Sequence, residues 1–360
     1  VNHAHARPGL YYSHPACLEH DPRVLSPGHP DTPERLIELE RALAARDWLG
    51  WERRVAPAAD EVQLELVHGS HHVNRIRELC EHGGGAIDLD TFVGEASYRA
   101  ALHAAGGALA MVGDLLAGEA SAGFAAVRPS GHHAEAERAM GFCLFDNIAV
   151  AAAGAIAQHG LERVLILDWD VHAGNGTAEI FRRRSDVLVV SIHEAGLFPG
   201  TGPLSDAGSG AGEGYTINLP VPPGSGEDLW LGLLSDVILP AARAFAPQLV
   251  LVSAGFDAHR LDPLAHCCLE TGSFVRMAAL VRELADSEGV PLGVVLEGGY
   301  NREVLAECAC AMLPALAGAG SAWEDGAAPA ARGPEVAADA ERAAAVIGRA
   351  RAQVAGHWPL

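Results

Sequence analysis

A chain of 360 residues, 49% hydrophobic and 20% charged, can bury a large core, and α/β chains of this length often remain one domain. All 25 basic residues are arginine and the formal charge is −21, which excludes Schiff-base chemistry and a P-loop lysine. The same charge argues against direct nucleic-acid binding and suits cationic partners such as basic peptides or polyamines, as well as plain solubility.

Pro33–Arg46 predicts the first helix, capped by Asp31 or Thr32 with Pro33 in its first turn. Helix-like Ala100–Ala117 and strand-like Gly123–Val127 follow, then helix Ile148–His159, strand Val164–Asp168, helix Thr177–Arg183 and strand Val187–Ile192. Gly196–Gly214 reads as a long loop whose glycines do not lie between a strand and a helix in the order a nucleotide loop requires. Helix Leu229–Phe245, strand Leu249–Ser253, helix Gly272–Ser287 and strand Gly293–Leu296 complete the series. The strands are continuously apolar rather than alternating, which indicates a parallel sheet covered on both faces. Beyond Gly318, Ala319–Pro334 reads as a flexible connector and Val336–Val354 as an amphipathic helix that could pack back or join a neighbouring subunit. The longest apolar stretch, Ile148 to Ala157, is about half of the ~20 residues needed to span a bilayer. With no charged leader and seven cysteines lacking any C-x-x-C, free thiols in the cytoplasm are expected, with no membrane association.

Chemistry concentrates where strands end. In Asp168-Trp-Asp-Val-His172, an extended backbone puts Asp168, Asp170 and His172 on one face. Two carboxylates and an imidazole so close repel unless a cation lies between them, and oxygen and nitrogen donors suit Zn²⁺ or Fe²⁺. The bland reading is a strand end at a solvent boundary. Three other strands end similarly, in Arg128-Pro-Ser-Gly-His-His133, Ala254-Gly-Phe-Asp257 and Glu297-Gly-Gly-Tyr-Asn301. A catalytic metal takes about three protein ligands, for which Asp170, His172 and Asp257 are the candidates. His132 and His133 would move protons, Asp168 and Asn175 would hold their imidazoles, and Tyr300 would donate to an oxyanion. His71-His72 reads as a surface pair, His3, His5, His14, His20 and His29 as surface or loop residues, and Cys143 as apolar filler.

Taken together, Arg128–Ala134, Gly141-Phe-Cys143, Asp168–Gly176, Phe198–Gly202, Ser253–Asp257 and Glu297–Asn301 resemble the histone deacetylase superfamily in order and spacing, over about Tyr11 to Leu316. The resemblance implies an arginase/deacetylase-like three-layer α/β fold with a central, mostly parallel sheet. It implies a deacetylase-like unit over 1–318, extended by 319–360. Asp170, His172 and Asp257 match the family's zinc ligands, His132 and His133 its dyad, Asp168 the first histidine's partner and Tyr300 the carbonyl-polarising tyrosine. Asn175 is similar to the class II-like branch. Gly141, Phe142 and Phe198 match the acyl-lysine channel, Leu264 its rim, Arg35 an arginine below the site, and Asp88 or Asp90 the rim aspartate. Asp168, Asp170, His172, Ser191 and Ile192 align with a potassium site built largely from backbone oxygens. The implied activity is zinc-dependent deacetylation of acetyl-lysine in peptides or proteins by metal-activated water, with acetylated polyamines or other small amides as the alternative. A noncatalytic binding protein and a two-metal ureohydrolase are further readings; the second lacks bridging carboxylates at Gly174 and Asn175. A homo-oligomer is compatible with the resemblance. Departures are Ala173 for histidine, Asp146 for asparagine, Leu264 without the glutamate gate of the eukaryotic polyamine deacetylase, and His266-Cys267-Cys268 at the expected rim.

Overall fold

Eight strands form one sheet in the order β2-β1-β5-β10-β9-β6-β7-β8, and every neighbouring pair is parallel. In the computed structural model, which describes residues 9–318 and 334–360, these are β1 (Leu10–Ser13), β2 (Glu52–Val55), β5 (Ala122–Ala125), β6 (Val164–Asp168), β7 (Val187–Glu194), β8 (Thr216–Val221), β9 (Leu249–Ala254) and β10 (Leu292–Leu296). A short antiparallel hairpin, β3 (Gly85–Ala86) and β4 (Phe92–Val93), stands apart from it. The helices are α1 (Glu34–Ala44), α2 (Glu61–Leu64), α3 (Ser70–Glu81), α4 (Ser97–Leu116), α5 (Asn147–His159), α6 (Asn175–Phe181), α7 (Glu227–Leu233), α8 (Leu239–Phe245), α9 (Thr271–Glu288), α10 (Arg302–Leu316) and α11 (Pro334–Val354).

Every residue of β5, β6, β7, β9 and β10 is buried, which is why their sequences are apolar without alternation. The expected five strands are these five. The strands the pattern did not disclose lie towards one end of the sheet, β1 and β2, or at its other edge, β8. Polar, largely exposed Glu52–Val55 can form a strand because it is an edge, and β8 carries Pro220, tolerated at an edge because one side needs no ladder donor. Helix α10 was also not anticipated. The expected Leu229–Phe245 helix is α7 and α8 joined by a π turn, Leu234–Ile238. Helix α1 starts at Glu34 after an N-cap Pro33 that makes no side-chain cap bond, contrary to the expected Asp31 or Thr32 cap. The Asp31 carboxylate is instead taken by Arg35 and Arg128, two buried guanidiniums that outcompete a backbone amide.

The terminal helix packs back onto the body. Ala343, Val346, Ala350 and Val354 are buried in the main core, and Trp358 donates its indole N–H to the Gly214 carbonyl at 2.7 Å while its ring meets Tyr215 edge-on. The connector, residues 319–333, lies outside the described residues, as do His3 and His5. No described helix is long and apolar enough to cross a membrane.

Candidate active site

Because all eight strands run the same way, their carboxyl ends share one edge, where α/β sheets bind ligands. The segments after β5, β6, β9 and β10 meet there. Asp170 and His172 leave β6, and Asp257 leaves the neighbouring β9. One donor atom from each lies within 4.8 Å of the others, and all three residues are buried. His172 Nδ1 is 3.0 Å from Asp170 Oδ1 and 3.2 Å from Asp257 Oδ2. The outer atoms are already committed: Asp170 Oδ2 accepts Gly298 N–H at 2.8 Å and Asp257 Oδ1 accepts Val171 N–H at 3.0 Å. Asp257 Oδ2 is buried without a hydrogen-bond partner and faces the cluster. A Cβ at Gly298 would collide with both carboxylates, and one at Gly255 with Asp170, so these turns need glycine for close approach. Burial works against a charged His172, yet the two carboxylates outweigh it and raise its pKa to about 10. Burial, joined by the Asp170 charge, pushes the Asp257 carboxyl up. The cluster demands positive charge at its centre, and its O,O,N donor set fits a divalent ion.

The two histidines after β5 sit in different environments. His132 Nδ1 is 2.9 Å from Asp168 Oδ2, and Asp168 Oδ1 accepts Asp170 N–H at 2.9 Å. Burial opposes the charge on His132, but Asp168 and Asp170 hold its pKa well above the usual value. His133 Nδ1 meets Asn175 Oδ1 at 2.8 Å. The Asn175 amide nitrogen donates to Glu135 Oε1 at 2.9 Å, so its oxygen faces the ring and Nδ1 carries the proton, leaving the Nε2 lone pair free. Burial first, then the His132 and His172 charges, push His133 well below the usual value. With centroids 4.0 Å apart and planes tilted by 39°, the adjacent rings thus favour opposite protonation states.

Tyr300 follows β10. Its N–H donates to Asp262 Oδ2 at 2.7 Å, and the Arg35 guanidinium lies 4.9 Å over its ring. Burial raises its phenol well above the ordinary value, keeping the O–H a donor. Arg35 also donates to the Gly299 carbonyl at 2.7 Å and to that of Glu297, so it fixes the turn from below.

Above the cluster opens a cavity of ≈ 200 Å³ lined by Asp90, His133, Gly141, Phe142, His172, Leu197, Phe198, Leu264 and Tyr300. Every residue expected in the channel is among them, and Leu197 is an addition. Asp90, not Asp88, reaches it; Asp88 Oδ1 instead accepts the N–H groups of Asp90 and Thr91 at 3.1 and 2.8 Å. Gly141 has φ +57°, and a Cβ there would strike both His133 and Phe198.

Some expectations need correction. His72 is fully buried, bonding the Leu144 carbonyl at 2.9 Å, because α3 turns that face inward. His20 is buried on Ser97 Oγ at 2.8 Å, and His29 is buried under the channel wall, 2.9 Å from the Asp90 carbonyl with its ring against Phe142. Asp146 caps α5 through Ala149 N–H and accepts from Thr177 Oγ1. Ala173 and Cys143 are buried. At the expected potassium position Asp168 and Ser191 are cross-strand partners, followed by Ile192, and Ser191 Oγ is 2.9 Å from His193 Nδ1. Each Asp168 oxygen also accepts one hydrogen bond.

Glu297 was quoted for its motif but given no role. Its Oε2 accepts Gly131 and His132 N–H at 2.8 and 3.3 Å, and Oε1 accepts Ser253 Oγ at 3.0 Å. This buried carboxylate ties the dyad loop to β9, and burial raises it to about 7. The available signal was an acid directly after five buried strand residues, where a charge needs a partner.

Comparisons with known proteins agree. A family model described as the histone deacetylase domain matches residues 29–316. A histone deacetylase-like amidohydrolase of Pseudomonas aeruginosa is 42% identical over 301 residues, covering 83% of this chain and 79% of that protein. A probable deacetylase of Archaeoglobus fulgidus is 37% identical, covering 81% and 80%. The solved structure titled as the HDA15 HD domain superposes with a TM-score of 0.87 at 34% identity, covering 98% of this chain and 96% of that one.

Proposed function

The chain belongs to the histone deacetylase family, and we propose that it hydrolyses the amide of acetyl-lysine, or another short acyl-lysine, in peptides or proteins. The observation that carries this reading is the pair of adjacent histidines with opposed protonation preferences beside a buried Asp170–His172–Asp257 cluster at the foot of the cavity. Those three side chains would hold the ion, Zn²⁺ by donor type with Fe²⁺ as a substitute; the unbonded Asp257 Oδ2 and the glycines at 255 and 298 fit it. When bound it supplies Lewis-acid polarisation of the amide carbonyl and eases ionisation of water.

The chain's own residues do the rest. Phe142 and Phe198 flank the aliphatic stem of a lysine and exclude water from it. His133, neutral with a free Nε2, takes the proton from the attacking water and returns it to the departing amine. His132 stays cationic through Asp168 and favours negative charge on the reacting centre. The Tyr300 phenol donates to the oxyanion, where one such donor is worth about 10²–10³ in kcat. Potassium beside Asp168 and Ser191, held largely by main-chain oxygens, belongs to the same proposal as a structural ion.

One observation favours a second reading. Asp90 brings a carboxylate to the channel mouth of a chain with charge −21, which suits the distal ammonium of an acetylated polyamine. A matched panel of acetyl-lysine peptides, acetylpolyamines and longer acyl-lysines decides between them. Preference for peptides is expected, with His133→Ala inactive and Tyr300→Phe losing about 10² in turnover while retaining metal. Unchanged turnover in Tyr300→Phe overturns its role, and faster polyamine hydrolysis overturns the substrate.

A further inference from the structure

The segment His266-Cys267-Cys268, which follows Leu264 of the cavity wall, is anchored in a specific way. Glu194, the last residue of β7, has a side chain only 2% exposed, and both its oxygens are taken by His266. Oε2 accepts the His266 backbone N–H at 2.8 Å, and Oε1 lies 2.8 Å from His266 Nδ1. The imidazole itself is 70% exposed. Removing the ring takes one of the partners of this buried carboxylate and leaves the backbone N–H and the Cys267 thiol, so the contact is directional as well as cohesive.

What the contact joins explains its interest. Glu194 N–H donates to the Val171 carbonyl at 2.8 Å, next to His172, and the chain then runs directly into Leu197 and Phe198 on one wall of the channel. His266 lies two residues after Leu264, which lines the same cavity. On the near side of Leu264, Asp262 Oδ1 accepts the Leu264 N–H at 3.0 Å while Oδ2 accepts the Tyr300 N–H. Leu264 is therefore suspended between an anchor to the Tyr300 turn and an anchor to the end of β7. On the outer side, Gly224 N–H bonds the His266 carbonyl at 3.0 Å, and Cys268 N–H bonds that of Ser225 at 2.9 Å.

We propose that His266 and Glu194 form a clasp that sets the width of the channel mouth, and that the pair acts as a specificity determinant on the amine side of the substrate. This rests on the acyl-amine reading given above. The acyl group lies deep, by the metal ligands, so the rim meets what the nitrogen is attached to. With the clasp closed, the Leu264 and Phe198 segments stay tied together in the cavity wall and the mouth grips a slim, linear acyl-amine. With it open, that grip is lost, while a peptide-borne acyl-lysine, which also contacts surface outside the mouth, is less affected. Both residues are positioning residues; neither touches the reacting atoms.

The test uses metal-loaded full chain and the variants His266→Ala and Glu194→Gln. Hydrogen exchange over residues 258–270 reads the clasp without reference to activity, and kcat and KM on N-acetylputrescine and on an acetyl-lysine peptide read its consequence. Expected are faster exchange at 264–268 in both variants, unchanged exchange over 164–172, and a rise of at least about fivefold in KM for the slim substrate relative to the peptide, with kcat nearly kept. His266→Ala alters an exposed ring and keeps the core intact should Glu194→Gln weaken folding. Unchanged exchange overturns the clasp. Faster exchange with an unaltered substrate ratio overturns the specificity role. A parent protein that hydrolyses neither substrate removes the proposed function, and the specificity role with it, while exchange still decides whether the clasp holds the loop.

Discussion

Asn175 is an amide where a carboxylate would also fit, and the exchange would shift the pH at which His133 is neutral. His133 must be neutral to accept a proton, and burial together with the His132 and His172 charges holds its pKa low. Asn175→Asp would put a negative charge 2.8 Å from Nδ1 and raise that pKa, by about 1–3 units for a close carboxylate. A higher pKa means His133 is already protonated at higher pH. The acid limb of kcat/KM therefore moves upward, and a pH profile of the variant checks it; a limb that stays or falls refutes the assignment of His133 as base. Glu297 makes a different prediction. Glu297→Ala leaves the Gly131 and His132 N–H groups and the Ser253 hydroxyl without their shared acceptor, loosening the loop that carries the dyad. Turnover should fall by about tenfold or more with KM little changed, since misplacing a proton-transfer group costs the transition state more than the bound substrate.

Among the elements, what could be read from the chain follows from burial. β6, β9 and β10 announce themselves because both faces are covered, and the polar residues just after them stand out against the apolar runs. That contrast is why Asp170, His172, Asp257 and Tyr300 are legible as candidates in the sequence itself. β2 is not, since an exposed edge strand escapes the demand for apolar residues, and buried β8 is interrupted by Asn218 and Pro220; the Asp31 cap fails because Arg35 and Arg128 compete for that carboxylate from 4 and 97 positions away. Glu297 stayed silent for the same reason: its partners come from β9 and the β5 loop. The turn after β10 carries its own prediction. Gly298→Ala would force a methyl against the Asp170 and Asp257 carboxylates while leaving the donors chemically present. Metal content after dialysis should fall by about tenfold or more with the far-ultraviolet dichroism of the sheet and helices retained, whereas full retention of metal would show that the cluster is not the ion's seat.

At the scale of the whole molecule, the buried titratable groups act on stability in opposed directions. Burial lowers His20 to about 3 and His68 to about 3, with Arg128 adding to the first and His72 to the second, and lowers His193 to about 4. A histidine whose folded pKa is depressed contributes stability that is present above about 6.5 and is lost as pH falls towards the folded value. Burial raises the Asp146 and Asp262 carboxyls to about 8 and about 7, and a carboxyl raised in this way has the reverse sign: its contribution is lost as pH rises through the folded pKa. The two sets partly cancel between pH 5 and 7, so the parent protein's own pH profile reports neither. Removing one set separates them. His68 accepts Asp146 N–H at 2.8 Å through Nε2 and faces the Glu135 carbonyl through Nδ1, bonds that a glutamine can reproduce without titrating. Urea unfolding of His68→Gln beside the parent should show the difference moving in the variant's favour as pH drops from 7 to 5, at about 1.4 kcal/mol per unit once below pH 6.5. A constant difference would mean that His68 is protonated as readily in the folded chain as in the unfolded one, and that the core beneath α5 admits charge.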